Sequence, residues 1–356
     1  MSGASRMQTV DGAGPAGEAK PAVLEVRDLE VNYGSAGGRT LRAVNHVSFT
    51  VAAGRTLGIV GESGSGKTTV IRAILRIIDP PGEISGGQVR YNGRELLTLR
   101  EAEMGKLRGD RIAMIFQDPS GSLDPLQTIG AQFVETIRRH RACSRKAARE
   151  RAVEVLRLVG VSDPAAAMRS YPMQFSAGMT QRMMIGMAIS CDPEVILADE
   201  PTTGLGVVVQ ASILAALKEI QQRLGTSLVL ITHDMGIVSY VADDILVMYA
   251  GQCVEYSSKE AVLTRPLHPY TLGLMQSIPS EDQDPNERLN AIPGFPPDIS
   301  SLPPGCPFVS RCYRAIPKCA TVNPPLAELE LNHFVACHAP VPDEDRIGAA
   351  HVPAHS

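Results

Sequence analysis

The sequence lacks three features that would place it in a specialised class of protein. It has no excess of basic side chains, because 34 Lys and Arg face 38 Asp and Glu for a formal net charge of −4. No positive field therefore marks a nucleic-acid binder. It has no run of the roughly 20 apolar residues that cross a bilayer, and the apolar stretch 183–191 stops at Asp192. Residues 1–21 lack the apolar segment of a secretory signal and are expected to form a disordered leader in a cytoplasmic protein.

Cysteine is scarce in most of the chain and crowded near its end. Three of the seven cysteines are scattered over the first 260 residues, and four follow residue 300: Cys306, Cys312, Cys319 and Cys337. No C-x-x-C occurs among these four, so their spacing is not that of a zinc ribbon. The spacing leaves open a [4Fe–4S] cluster, a tetrahedral zinc site with His333 or His338 as alternative ligands, two disulfides, or free thiols. A cytoplasmic location counts against disulfides.

Apolar residues are plentiful enough for a sizeable core, at 44% of the chain. Mixed apolar and charged patterns predict antiparallel strands at 23–31 and 47–51. Short, uncharged apolar runs predict buried parallel strands, each ending at a polar residue, at 56–60, 112–116, 195–198 and 228–231. A helix is predicted over 67–78. These strands and helices imply an α/β core with functional loops at the carboxyl ends of its strands.

The composition changes twice along the chain. Between Asp118 and Ser190 the strand patterns disappear and helical composition takes over, which predicts a helical insert. Beyond Arg265 the chain becomes rich in proline, which predicts a separate, loop-rich module. The predicted organisation is a leader over 1–21, an α/β domain over 22–265 with its insert at about 118–190, and an extension over 266–356.

A complete phosphate-binding P-loop follows the predicted strand 56–60 and precedes the predicted helix. The glycines of such a loop turn backbone N–H groups inward around phosphate oxygens, and the helix N-terminus favours the same anion. Lys67 is placed to neutralise the β- and γ-phosphates, and the Thr68 hydroxyl to bind Mg²⁺. The predicted nucleotide-binding residues of this loop are Gly61, Glu62, Ser63, Gly64, Ser65, Gly66, Lys67, Thr68 and Thr69.

Acidic residues and a histidine end two other predicted strands. Asp199 and Glu200 follow the strand 195–198, which places one carboxylate at the metal and a second near an attacking water. We expect Asp199 to bind Mg²⁺ and Glu200 to be the catalytic base. His233 follows the next strand and is expected to reach the γ-phosphate.

In their order and spacing, these motifs resemble the ATP-binding subunits of ABC transporters, over roughly residues 23–278. The resemblance implies that Tyr33 stacks on adenine and that Gln117 senses Mg²⁺ and the γ-phosphate. It also implies a signature loop, Phe175-Ser-Ala-Gly-Met179, which reaches the nucleotide of a partner subunit through Ser176, Ala177 and Gly178. An ABC site is built from two such subunits, so the resemblance implies that this chain pairs.

Within the family, the chain is similar to importers of dipeptides and oligopeptides, a subgroup that includes nickel importers. The similar stretches are Phe116-Gln-Asp-Pro119, Ser122-Leu-Asp-Pro125, Glu200-Pro-Thr-Thr203, His268-Pro-Tyr-Thr271 and Ile278-Pro279. The cysteine-containing extension is also typical of that subgroup. Members with this extension resemble iron–sulfur binders, which implies a [4Fe–4S] cluster on the four cysteines, with zinc as the alternative.

Two residues depart from the family pattern. Ala177 replaces the first of two glycines that usually follow the signature serine. Gly206 stands where the loop after the catalytic glutamate usually carries an aspartate that couples the two ATP sites. Both changes lie in loops that face a partner's nucleotide, so we expect the two composite sites to hydrolyse ATP unequally.

The sequence therefore predicts an ATP- and Mg²⁺-dependent hydrolase that energises import of dipeptides or oligopeptides. The expected partners are a second ATPase subunit, two permease subunits and an extracytoplasmic binding protein, with no nucleic acid. The expected location is the cytoplasmic face of the cell membrane. Residues 117–128 are expected to help form the groove that receives a permease. The alternatives are import of nickel or another solute, a weakly hydrolysing regulatory subunit, and a soluble ABC ATPase.

Overall fold

The computed structural model describes residues 21–34, 40–277 and 292–346. The expected leader, apart from Pro21, and the stretch Ile278-Pro279 lie outside the described residues. The strands are β1 Ala22–Gly34, β2 Thr40–Ala52, β3 Thr56–Val60, β4 Gly82–Tyr91, β5 Arg94–Glu95, β6 Ile112–Ile115, β7 Val195–Asp199, β8 Ser227–Thr232, β9 Asp244–Tyr249, β10 Gln252–Ser258, β11 Ala327–Glu330 and β12 His333–Val335.

Twelve helices are described. They are α1 Lys67–Ile74, α2 Glu101–Leu107, α3 Pro119–Ser122, α4 Ile129–His140, α5 Arg145–Leu158, α6 Pro164–Ala167, α7 Ala177–Ile189, α8 Val207–Leu224, α9 Met235–Val241, α10 Lys259–Thr264, α11 Pro269–Gln276 and α12 Pro317–Thr321. Single 3₁₀ turns cover Pro172–Gln174, Ile299–Ser301 and Asp343–Asp345. No helix among the described residues is both long enough and apolar enough to pass through a bilayer.

Two sheets form the framework. The first is antiparallel, in the order β2-β1-β4-β5. The second has eight strands in the order β11-β12-β10-β9-β3-β8-β7-β6, of which β9, β3, β8, β7 and β6 run parallel. The predicted fold class, an α/β ATPase domain with an antiparallel subdomain, is therefore confirmed.

The central strands form because their sequences are apolar along their whole length. Every residue of β3, β7 and β8 is buried, as expected for a parallel sheet covered on both faces. Between residues 118 and 190 the described chain is helical, with five helices and one 3₁₀ turn. Thr128 and Ser144 cap α4 and α5 by accepting hydrogen bonds from the amides of Ala131 and Ala147.

The helix after the P-loop is shorter than its sequence predicts. α1 ends at Ile74 rather than at residue 78. Arg76 has a left-handed backbone with φ of 54°, which α-helical geometry does not allow. Its guanidinium donates to the carbonyls of Leu96 and Leu99. The left-handed residue ends the helix, and these hydrogen bonds fix its side chain to the loop after β5.

The C-terminal extension is joined to the ATPase core by strand pairing and by apolar packing. β12 pairs with β10, through Glu255 opposite Val335, so the extension continues the sheet of the ATPase core. Phe308 and Tyr270 are buried together with Tyr249 of β9. The boundary expected near residue 265 is therefore crossed by both hydrogen bonds and apolar packing.

A buried carboxylate holds this junction together. Glu255 in β10 has no exposed surface. Its two oxygens accept from the amides of Leu267 and His268, at 2.7 and 2.9 Å. Its Oε1 also lies 2.7 Å from Nε2 of His333, which is equally buried. A buried carboxylate needs such partners, so the start of α11 and the start of β12 are fixed to β10.

Candidate nucleotide site

The P-loop runs from the end of β3 to the start of α1 and depends on glycine at two close approaches. A Cβ at Gly61 would lie 2.2 Å from the carbonyl oxygen of Met248. Gly66 caps α1 with φ of 97°, and a Cβ there would lie 2.3 Å from the carbonyl oxygen of Ala43. Only glycine fits such positions, so the loop can wind tightly at the positive end of α1.

Lys67 directs its ammonium group into this loop. Its Nζ donates to the carbonyls of Gly61 and Glu62, at 2.8 and 2.9 Å. Burial lowers the pKa of Lys67, while the carboxylates of Glu200, Asp199 and Glu62 act in the opposite direction. The lysine thus lies within electrostatic reach of both acidic residues at the end of β7.

Thr68 and Asp199 are in direct contact, as expected for two ligands of one metal ion. The Thr68 hydroxyl donates to Asp199 Oδ1 at 2.9 Å. Asp199 ends β7 and is only 2% exposed. Burial raises the pKa of Asp199, and the Thr68 hydrogen bond lowers it. A hydroxyl and a carboxylate oxygen are hard donors of the kind that Mg²⁺ prefers, so these residues fit the proposed metal.

Glu200 is the centre of a polar cluster at the ends of β6, β7 and β8. Its Oε2 accepts from Gln117 Nε2 at 3.2 Å and from the Thr203 hydroxyl at 2.8 Å, and lies 3.4 Å from Nδ1 of His233. The backbone of Glu200 is left-handed, with φ of 43°. Such strain at a non-glycine residue is typical of functional sites. The structure therefore brings the three predicted catalytic residues together.

Other residues expected to bind nucleotide lie elsewhere in the fold. Tyr33 is in the antiparallel sheet, and its ring lies against Gly82 of β4. Ser176 and Ala177 are exposed at the start of α7. A Cβ at Gly178 would lie 2.7 Å from Val209, which places the signature loop against the first turn of α8. The contact of Tyr33 with adenine and the contact of the signature loop with a partner's nucleotide remain predictions.

The four C-terminal cysteines lie near one another. Burial, together with the nearby thiols of Cys312, Cys306 and Cys319, raises the pKa of Cys337 to about 12. All four are free thiols. His333 is bound to Glu255, and His338 Nε2 lies 3.0 Å from the Val322 carbonyl oxygen. Within the described ranges, no three His, Cys, Asp or Glu side chains are arranged to hold a metal ion.

Sequence patterns alone did not identify all the residues at this site. Thr203 lies in the quoted stretch Glu200-Pro-Thr-Thr203, but nothing in the pattern marks its hydroxyl as a partner of Glu200. Arg311, which precedes Cys312, pairs with Glu62 of the P-loop. No local pattern could reveal this pairing, because the two residues are 249 positions apart.

An apolar groove is lined in part by β6 and by Phe116, the residue that follows this strand. It has a volume of about 330 Å³ and is lined by residues that include Phe116, Leu123, Thr136 and Met184. Phe116 is 40% exposed, and Leu126, within the stretch 117–128, is 83% exposed. The groove includes part of the stretch 117–128 that the sequence predicts to receive a permease.

Comparisons with known proteins agree with this geometry. Residues 44–203 match the ABC transporter family model, and residues 254–319 match the model of the oligopeptide/dipeptide transporter C-terminal region. The oligopeptide transport ATP-binding protein OppD of Bacillus subtilis is 42% identical over 91% of this chain and 91% of its own length. The dipeptide transport ATP-binding protein DppD of Escherichia coli is 43% identical over 91% of this chain and 99% of its own length.

A solved structure shares the core. The ATP-binding cassette MJ0796, in a dimeric post-hydrolysis state bound to ADP and Pi, superposes with a TM-score of 0.60 at 26% identity. The match covers 66% of this chain and 98% of that one. Fold, site geometry and sequence similarity agree, and the chain belongs to the oligopeptide and dipeptide transport ATP-binding proteins of the ABC transporter family.

Proposed function

We propose that this chain is the ATP-hydrolysing subunit of an ABC importer and that it energises uptake of dipeptides or oligopeptides. The observation that carries the proposal is the convergence of a P-loop lysine, a Thr68–Asp199 pair and a glutamate bound to Gln117 and His233. Charge neutralisation, metal binding and a base are the components that phosphoryl transfer to water requires. Family membership extends the proposal from hydrolysis to transport.

In the proposed mechanism each residue has a defined task. Lys67 and the amides of the P-loop bind the phosphates of ATP and stabilise negative charge on the transferred group. Thr68 and Asp199 would hold Mg²⁺, which supplies further charge neutralisation. Glu200 orients and polarises the attacking water, and Gln117, Thr203 and His233 fix its carboxylate. Hydrolysis requires both the orientation and the charge of that carboxylate.

The variant Glu200→Gln tests this mechanism in the assembled transporter. The amide keeps the size of the side chain but is a much weaker base, so we expect normal ATP binding and at least a hundredfold loss of hydrolysis, in the range typical for a lost general base. The matched control is Glu219→Gln on the outer part of α8, where Glu219 pairs with Arg223. Full turnover by Glu200→Gln would rule out Glu200 as the base.

We propose that the complete ATP site needs a second, different ATPase subunit. Ser176 and Ala177 are exposed, as a loop that covers a partner's nucleotide would be. Ala177 and Gly206 both depart from the family pattern, so the site covered by this chain's signature loop should be the weaker one. Glutamine substitutions of the catalytic base in each subunit should then reduce turnover unequally. Equal losses would contradict the asymmetry.

The proposed membrane partners are two permease subunits, with a binding protein delivering the solute. The groove around Phe116 and Leu123 offers an exposed apolar surface for a permease helix on the cytoplasmic face of the membrane. Reconstituted vesicles containing all subunits should take up a labelled tripeptide in an ATP-dependent manner. Uptake of Ni²⁺ without peptide uptake would favour the nickel importers of the same subgroup.

We propose that Cys306, Cys312, Cys319 and Cys337 bind one [4Fe–4S] cluster with a structural role. Four thiols meet the ligand count of a cubane cluster. In the described residues no three of them are arranged around one metal ion, so binding would have to draw them together. Burial raises the pKa of Cys306 to about 11, so binding must displace protons from these thiols. The short, proline-rich extension would gain a cross-link where it has few apolar residues.

Anaerobic purification tests the cluster. We expect about four irons per chain and a broad absorbance near roughly 400 nm, as four-cysteine ligation implies. Cys337→Ser should lose iron, whereas Cys143→Ser, outside the extension, should keep it. Stoichiometric zinc without iron would show that the cysteines form a zinc site instead of a cluster. Free thiols without either metal would reject both proposals.

A further inference from the structure

A two-pronged ion pair joins the C-terminal extension to the P-loop. Arg311 Nη1 donates to Glu62 Oε2 at 2.7 Å, and Nη2 donates to Oε1 at 2.9 Å. The Arg311 side chain is only 4% exposed, and that of Glu62 is 26% exposed. Water therefore screens this pair much less than it screens a surface pair.

The other donors of Arg311 are also engaged. Nε donates to the Pro293 carbonyl oxygen at 2.9 Å, and Nη1 also donates to the Tyr249 hydroxyl at 3.2 Å. A planar guanidinium can make all these bonds at once, and an ammonium group cannot. The position therefore requires arginine rather than a positive charge alone.

The backbone of the P-loop is also bound by residues that pack against the C-terminal extension. The Glu62 amide donates to the Tyr270 hydroxyl at 2.9 Å. The Tyr270 ring lies 4.6 Å from the Tyr249 ring and 5.4 Å from the Phe308 ring, between centroids. Phe308 and Arg311 belong to one turn of the extension, so this aromatic cluster fixes the turn against the nucleotide site.

Because Glu62 is negatively charged, its pairing with Arg311 should affect ATP binding. Glu62 is the second residue of the P-loop, and its carboxylate is close enough to Lys67 to influence the pKa of that lysine. An unpaired carboxylate at this position would repel a polyphosphate and compete for Lys67. Paired with Arg311, it is neutralised and turned towards the extension.

We propose that Arg311 is a positioning residue for ATP binding: it fixes Glu62 and cancels its charge, so the C-terminal extension sets the nucleotide affinity of the P-loop. The inference rests on the proposed binding of ATP at Lys67. It adds a residue of the extension to a site otherwise built from the ATPase core.

Variants that remove the charges of Arg311 and Glu62 test the proposal on the full chain, with a fluorescent ATP analogue as the probe. Arg311→Met should weaken binding about tenfold, because it leaves the Glu62 carboxylate unpaired beside the phosphates. The affinity of Arg311→Lys should lie between that of the unmodified chain and that of Arg311→Met. The double variant Arg311→Met/Glu62→Gln should recover most of the affinity, because it removes the unpaired charge. Recovery of this kind separates a charge effect from a folding defect.

Two controls make every outcome decisive. Arg314→Met removes an arginine of the same segment that bonds to Ala339 and Asp345 instead of the P-loop, and should bind as the unmodified chain does. Lys67→Ala should lose binding. If Lys67→Ala binds normally, the proposed ATP site itself fails. If Lys67→Ala loses binding while Arg311→Met retains it, or if the double variant binds as weakly as Arg311→Met, the role of Arg311 is rejected.

Discussion

His268 shows how one buried side chain makes the fold sensitive to acid. It caps α11 by accepting a hydrogen bond from the Tyr270 amide at Nδ1, 3.0 Å away. It is 1% exposed. Burial lowers the pKa of His268 to about 4, although the nearby Glu255 carboxylate raises it. Protonation would charge a buried ring and remove the acceptor of the cap.

We predict that His268 makes the chain less stable as the pH falls from about 6.5 to about 4. In that window the unfolded chain binds a proton at His268 that the native chain does not, so the free energy of unfolding decreases with falling pH. A shift from 6.5 to about 4 corresponds to roughly 3 kcal/mol at the acid end. Urea unfolding at pH 7 and pH 5 measures the change.

The variant His268→Asn isolates this contribution. Asparagine can accept the same capping hydrogen bond but does not titrate, so the pH dependence should become shallower. His338→Asn, outside the cap, serves as the control. An unchanged slope in His268→Asn would contradict the prediction.

At the scale of elements, α8 begins with an unfilled cap. Gly206 is its N-cap residue, has ordinary extended backbone angles and offers no side chain to the first turn. A Cβ there would meet nothing within 4 Å. An aspartate would fit, would accept from the first free amides, and would place a negative charge at the positive end of an 18-residue helix.

We predict that Gly206→Asp raises the free energy of unfolding by about 0.5–1 kcal/mol. Chemical denaturation of the full chain measures it. Gly206→Asn keeps the cap without the charge and should give a smaller gain. Lower stability in both variants would show that the cap cannot form here.

The elements that sequence predicts well are those whose signal is local. β3, β7 and β8 lie within one residue of their predicted limits because uninterrupted apolar runs mark them. Lys67, Asp199, Glu200 and His233 follow those strands, so their meeting at one edge could be predicted as well. The pairing of β10 with β12 could not be predicted from the sequence. Glu255 is charged yet fully buried, and its partner His333 is 78 positions away.

At the scale of the whole molecule, strand pairing and buried apolar contacts bind the extension to the ATPase core. We predict that a chain ending at Arg265 does not fold to a stable protein. It would lack the buried side chains of α11, Phe308 and β12 that pack on β9 and β10. Glu255 would also lose all three partners, and removing even one partner of a buried pair costs roughly 3–5 kcal/mol.

Soluble yield and thermal unfolding measure the effect of this truncation. A chain ending at Arg346 keeps the whole extension over which the structure is described and is the matched control. It should unfold cooperatively at the temperature of the full chain. A soluble, cooperatively unfolding protein that ends at Arg265 would show that the core is autonomous.

The pairing of β10 with β12 has a consequence during synthesis on the ribosome. Glu255 leaves the ribosome about 80 residues before its strand partner Val335. At roughly 5–20 residues per second, the edge of β10 stays unpaired for about 4–16 seconds, although the P-loop and the Glu200 cluster have already been made. An open strand edge invites pairing with other chains. The nascent subunit should therefore depend on a chaperone during this interval. It should assemble with its partner subunits without aggregating only after β11 and β12 have been made.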